Sequence, residues 1–316
     1  MKNPSQNIEL KDCEFTIVLG ETQVGKTFRN KREVDMYIRS LIATGKQGRK
    51  VLIFDRRGEY TDIATLAPTP DNIRKFTMQK TIEARRVVGV NTSGTPMKPS
   101  ECIANVENIL TYFRNGLLIF DDIDSYAVYS QDQDVVGMIM GYRHIGCDVI
   151  TVHQSWRKIT TTEADNANII RLHKTQDTLD AMPPAKQQPL DYELCTIADI
   201  IVKEMYYWAE DDYAENKITK LEWQQRRSYH LFLDVRTHKM WPITQLETFT
   251  RACEIYFTQK NPALFKQELQ TMLATGIITA ADVKNPFPEI RQKALDRLIH
   301  PRLHMLRCKE NYQLNI

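Results

Sequence analysis

Within the segment GETQVGKT, Gly20, Gly25, Lys26 and Thr27 form the pattern G-x-x-x-x-G-K-[ST]. These residue types at this spacing suit the binding of a nucleoside triphosphate. The glycines free the backbone N–H groups to converge on phosphate oxygens, the lysine reaches the β- and γ-phosphates, and the hydroxyl holds Mg²⁺. The loop positions between them, Glu21, Thr22, Gln23 and Val24, contribute their backbone to the same cradle.

A second group of chemically capable residues follows an apolar run. GLLIF ends in Asp121 and Asp122, with Asp124 close behind. Asp121 at the end of a strand is placed to hold Mg²⁺, and Asp122 to act as base or to orient water. A third group is His153 and Gln154 after DVITV. Ligands of α/β sheets sit at the carboxyl ends of strands. A glutamine there can hydrogen-bond an attacking water or a γ-phosphate. The implied ligands are ATP and Mg²⁺.

These residues need elements to hold them. Phe15–Leu19 (FTIVL) is a strand-type apolar run. Residues 27–42 carry Val34, Tyr37, Ile38, Leu41 and Ile42 on one helical face. A strand, a glycine turn and a helix N-terminus are the context the motif requires, and the helix dipole adds positive potential. KVLIF ending at Asp55, GLLIF, DVITV and residues 169–172 are further buried-type strands, with helices over 102–113 and 134–144. Strands alternating with helices predict a mostly parallel sheet with crossovers. Residues 64–100 are mixed, with turn signals at APTPDN and NTSGTPMKPS. Residues 177–192 read as a loop or linker, residues 194–210 as an amphipathic helix, and YHLFLDV with KMWPI as a hairpin. From Glu247 the pattern is helical. The expectation is an α/β core of the RecA-like P-loop NTPase class over residues 1–248, with a helical C-terminal extension over 249–316.

Composition bounds the partners. The 316 residues carry a net charge of +2 and are 42% hydrophobic. Contacts to nucleic acid must therefore come from local basic patches. MKNPSQNIEL has no apolar core of the signal-peptide kind, and no run of apolar residues is long enough to span a membrane. Six scattered cysteines without a C-x-x-C fit reduced thiols in a cytoplasmic setting.

Longer stretches carry a resemblance to the FtsK–HerA superfamily of P-loop motor ATPases, distributed over residues 15–180. VLIFDRRGEY is similar to the second-strand signature of HerA-type proteins, with Asp55, Gly58, Glu59 and Tyr60 in place. GYRHIGCDVITVHQS resembles the superfamily block of arginine, glycine, strand and glutamine, here Arg143, Gly146 and Gln154. Its RHxGxD wording is close to the Zot-like phage proteins. NANIIRLHKTQDTLD resembles the segment around the next strand in FtsK-type motors.

The sequence departs from the family where the usual Asp-Glu pair is Asp121-Asp122. The shorter acid draws back by roughly 1.5 Å, one C–C bond. Zot-like proteins usually carry a membrane segment, and this sequence shows none. The resemblance implies a ring, usually hexameric, with ATP at the subunit interface and duplex DNA as the transported substrate. A compact chain without an anchor resembles the viral and phage genome-packaging group most. It implies work in the host cytoplasm, docked on a virion or procapsid through a capsid or portal protein. The other implied uses of this core are a Zot-like assembly or extrusion ATPase and a non-hydrolysing nucleotide-binding scaffold. The resemblance also calls for an arginine from the neighbouring subunit, for which Arg171 and Arg143 are the candidates. Arg157 and Lys158 are candidates for the pore, and the basic helix over 289–306 for DNA or a partner protein.

Overall fold

The computed structural model describes residues 13–39, 47–91, 93–127, 137, 139–187, 189–243 and 245–307. The chain forms two compact units, Met1–Pro189 and Leu190–Ile316.

The first unit is built on parallel strands β1 (Phe15–Leu19), β2 (Lys50–Asp55), β3 (Ala84–Val88), β4 (Gly116–Phe120), β5 (Asp148–His153) and β6 (Ile169–Leu172). They lie in the order β3-β2-β4-β5-β1-β6. Every residue of β2 and β4 is buried. That burial is why these strands read as continuous apolar runs without alternation, as expected for a parallel sheet covered on both faces. Helices α1 (Lys26–Ile38), α2 (Pro70–Met78), α3 (Pro99–Tyr112) and α4 (Thr161–Asn166) are the crossovers among the described residues. Val34 of α1 packs with Val18, Val51, Ile53, Leu117, Ile119, Ile150 and Val152, which places α1 on one face of the sheet.

This strand order positions the site. β5 lies between the P-loop strand β1 and the acidic strand β4. All three strands run the same way, so their following loops emerge at one edge. The mostly parallel α/β sheet of the P-loop NTPase class is the observed architecture.

β3 and α2 occupy part of the stretch that reads as mixed from sequence. Arg85 and Arg86 interrupt β3, which shows one buried residue among five. An edge strand of this kind has no apolar signature. The expected helix over 134–144 falls partly outside the described residues, and Gly141–Arg143 form a short 3₁₀ turn. Leu41 and Ile42 of the expected first helix also lie outside them. Within 177–192 the chain makes a 3₁₀ turn at Leu179–Ala181 and a one-turn helix, α5 (Pro184–Gln187).

The second unit holds α6 (Tyr192–Ala214), α7 (Lys220–Arg227), an antiparallel hairpin of β7 (Leu231–Asp234) and β8 (Lys239–Trp241), and α8 (Leu246–Ile255). α9 (Pro262–Ala274), α10 (Ala280–Lys284) and α11 (Pro288–Ile299) complete it. Leu269, Met272, Ile278 and Ala294 form a small core between α9 and α11. No described helix is long and apolar enough to cross a membrane.

Candidate active site

The loop after β1 is held from both sides. Gly20 N donates to His153 O (3.2 Å) at the end of β5, and Glu21 N donates to Lys174 O (2.9 Å) just beyond β6. A Cβ on Gly20 would stand 2.7 Å from the His173 Cβ and 2.9 Å from Val24 Cγ2, so only glycine fits there. Gly25 takes the left-handed conformation at φ 84° as α1 begins, and Gln23 does so at φ 65°. Such a turn aims successive N–H groups into one concavity, which the α1 dipole reinforces. Val24 is buried beneath the loop, and its carbonyl lies 3.0 Å from His173 Nδ1. Glu21 pairs with Lys174 at 2.6 Å. Val24 thus supports the cradle from beneath, while Glu21, Thr22, Gln23 and Lys26 line it.

Lys26 Nζ donates to the carbonyls of Gly20 and, at 2.6 Å, of Glu21. Burial lowers its pKa to about 8, against the opposing pull of Asp121, Asp122, Asp124 and Glu59. Thr27 Oγ1 donates to Glu59 Oε2 at 2.7 Å.

Asp121 is 5% exposed and faces the same cavity. Burial first, then the charges of Glu59, Asp55 and Asp122, push its pKa up to about 7. Asp122 adopts a left-handed backbone at φ 47°, one that aspartate tolerates better than most residues. Its Oδ2 accepts from Arg57 Nε (2.8 Å) and its Oδ1 from Gln154 Nε2 (2.7 Å). Gln154 N in turn donates to Asp124 Oδ2 at 2.8 Å. The glutamine is thus oriented through both backbone and side chain.

Behind it lies a buried charge cluster. His153 Nδ1 is 2.7 Å from Asp124 Oδ1, and its Nε2 is 3.0 Å from Glu163 Oε1. Burial would drive the imidazole neutral, yet the charges of Glu163 and Asp124 prevail and raise its pKa to about 10.

Lys26, Thr27, Asp121, Asp122 and Gln154 line one cavity of ≈ 570 Å³. Arg57 and Glu59, on the turn after β2, line it too. Sequence reasoning places neither in the site. Their signal is the RRGEY wording, but their arrival depends on β2 pairing with β4.

The two finger candidates lie elsewhere. Arg171 is fully buried, with Nη1 2.6 Å from Glu33 and Nη2 donating to Asn30 of α1. Partners in its own chain hold its guanidinium, whereas a finger for another subunit has to be exposed; this corrects the expectation for Arg171. Arg143 is exposed, with Nε 3.0 Å from Tyr142 Oη. It precedes β5, at the sheet edge opposite the P-loop.

The donor set fits Mg²⁺. A hydroxyl and a carboxylate are hard oxygen ligands, and Mg²⁺ is commonly held by one or two such groups plus substrate phosphates. Among the described residues no cluster of three His, Cys, Asp or Glu side chains forms a protein-only metal site.

No family model and no curated protein matches the chain. Among solved structures it is similar to the genome packaging NTPase B204 from Sulfolobus turreted icosahedral virus 2 in complex with AMPPCP. The identity is 14% and the TM-score 0.43, over 74% of this chain and 99% of that one. The ATP-gammaS complex of B204 matches at 13% identity and TM-score 0.41, over 72% and 95%. The N-terminal domain of zonular occludens toxin from Neisseria meningitidis matches at 13% identity and TM-score 0.27, over 50% and 75%. These neighbours are a viral genome-packaging NTPase and a Zot N-terminal domain.

Proposed function

We propose that this chain is an ATP hydrolase that drives duplex DNA as a ring, in the service of viral or phage genome packaging. The observation that carries the hydrolase part is the cavity that Lys26, Thr27, Asp121, Asp122 and Gln154 share. The resemblance over residues 15–180 supports the DNA-motor part.

In this reading the loop amides and Lys26 hold the β- and γ-phosphates, and Thr27 and Asp121 hold Mg²⁺. The ion supplies charge neutralisation at the phosphoryl oxygens. Gln154 and Asp122, already joined by a hydrogen bond, orient the attacking water. Arg57, its side chain 47% exposed beside Asp122, adds positive charge from the same chain. Arg143 is the proposed contribution from a neighbour. By function, residues 249–316 are a helical extension to a core over 1–248, a division that falls inside the compact unit Leu190–Ile316, and the exposed basic residues of α11 face a capsid or portal component. The setting is the host cytoplasm, at a virion or procapsid.

The test is steady-state phosphate release by the full chain, with and without duplex DNA, for the unmodified protein and for Lys26→Ala. Turnover that depends on Lys26 and rises with duplex supports the reading.

A second reading has one specific observation in its favour. Both Asp122 oxygens already have partners in the chain. If no other carboxylate serves, the protein is a nucleotide-binding scaffold that does not turn over.

A further inference from the structure

The turn after β2 delivers a carboxylate of a different kind to the cavity. Asp55, fully buried, accepts from Glu59 N (2.9 Å) on Oδ1 and from Tyr60 N (3.1 Å) on Oδ2. Arg86 Nη1 donates to the same Oδ2 at 2.7 Å. Gly58 supplies the left-handed step of the turn at φ 75°. Tyr60 is fully buried, and its hydroxyl accepts from Asn30 Nδ2 (2.8 Å) of α1. Glu59 is therefore clamped at its own amide and at the next residue, on a mount built from β2, β3 and α1.

Its side chain differs from Asp122 in what it is committed to. Asp122 is held by a guanidinium on one oxygen and an amide on the other. Among the described residues Glu59 carries no ion pair, and its Oε2 accepts from Thr27 Oγ1, the proposed Mg²⁺ ligand. Glutamate also has the extra methylene that the Asp121-Asp122 pair lacks.

We propose that Glu59, not Asp122, takes the proton of the attacking water. This rests on the hydrolase reading above. In the step, the water oxygen forms a bond to the γ-phosphorus. The bond from that phosphorus to the bridging oxygen breaks, and ADP leaves with the electron pair. The water proton passes to the Glu59 carboxylate and from there to solvent. Asp122 serves as a positioning residue that holds Gln154 and Arg57.

The test compares Glu59→Gln, Glu59→Asp and Asp122→Asn in the full chain. Phosphate release gives kcat, and titration with a fluorescent ATP analogue gives affinity. Glu59→Gln keeps an acceptor for Thr27 but loses basicity. Its kcat is expected to fall on the order of 100-fold or more, with affinity unchanged. Glu59→Asp should recover part of the rate. Asp122→Asn should lose less than Glu59→Gln. Wild-type turnover by Glu59→Gln overturns the proposal, as does a larger loss from Asp122→Asn. Turnover absent in the unmodified chain overturns the hydrolase reading and this proposal with it; turnover present but indifferent to Glu59 overturns this proposal alone.

Discussion

Lys26 carries the only side-chain cation that the P-loop itself supplies, and it lies against the carbonyls of Gly20 and Glu21. A charged donor aimed at a phosphate in a water-poor pocket contributes far more than the same donor in water. Lys26→Ala is expected to lower phosphate release by at least about 100-fold, as a coupled phosphate assay would record. His153 offers a test of stability in place of activity. Its folded pKa of about 10 lies above the ordinary 6.5. The stabilisation is therefore fully present below pH 6.5 and is lost as pH rises through about 10. Urea midpoints should fall between pH 7 and pH 10.5 (about three and a half units of pH), and His153→Asn should flatten that slope. Removing the imidazole leaves Asp124 and Glu163 buried without their counter-charge. The variant should be destabilised by about 3–5 kcal/mol, measured by the same unfolding curves. Asp124 and His153 stand out in the sequence, each at the end of an apolar run, but Glu163 does not, and neither does the meeting of the three. Asp124 and His153 are twenty-nine residues apart and come together only because β4 and β5 are neighbours.

At the scale of elements, the strand–loop–helix unit was legible because three local signals agree: an apolar run, two glycines and a 3.6-residue period. The four central strands were legible for a related reason. Burial on both faces leaves an apolar run that no surface element shows. β3 was not, because Arg85 and Arg86 stand in an edge strand. Nor was α7, which has no buried residue and so no apolar stripe to read. Arg57 and Glu59 were hidden because a turn's sequence does not say which strand its own strand will pair with. The most exacting packing demand in the phosphate loop is at Gly20, where an added Cβ meets the His173 Cβ at 2.7 Å. Gly20→Ala should cost about 1–3 kcal/mol and weaken nucleotide binding, which thermal melts with and without ATP would separate.

At the scale of the whole molecule, every side chain lining the cavity belongs to the unit Met1–Pro189. With Arg171 buried and Arg143 exposed, the proposed ring assigns the neighbour's arginine to Arg143. Its place at the opposite sheet edge is awkward for a site in its own chain and open to one in another. If the ring reading holds, mixing Arg143→Ala with Lys26→Ala protein should restore part of the turnover that each lacks alone, because some interfaces then pair an intact lysine with an intact arginine. In that reading a net charge of +2 suits basic residues gathered where phosphates would pass, since only that surface would meet DNA. The most direct measurement is phosphate release by the full chain as duplex DNA is added at fixed ATP and Mg²⁺. Turnover should rise with duplex and vanish in Lys26→Ala; a chain that binds ATP but releases no phosphate, with or without DNA, would contradict the hydrolase assignment.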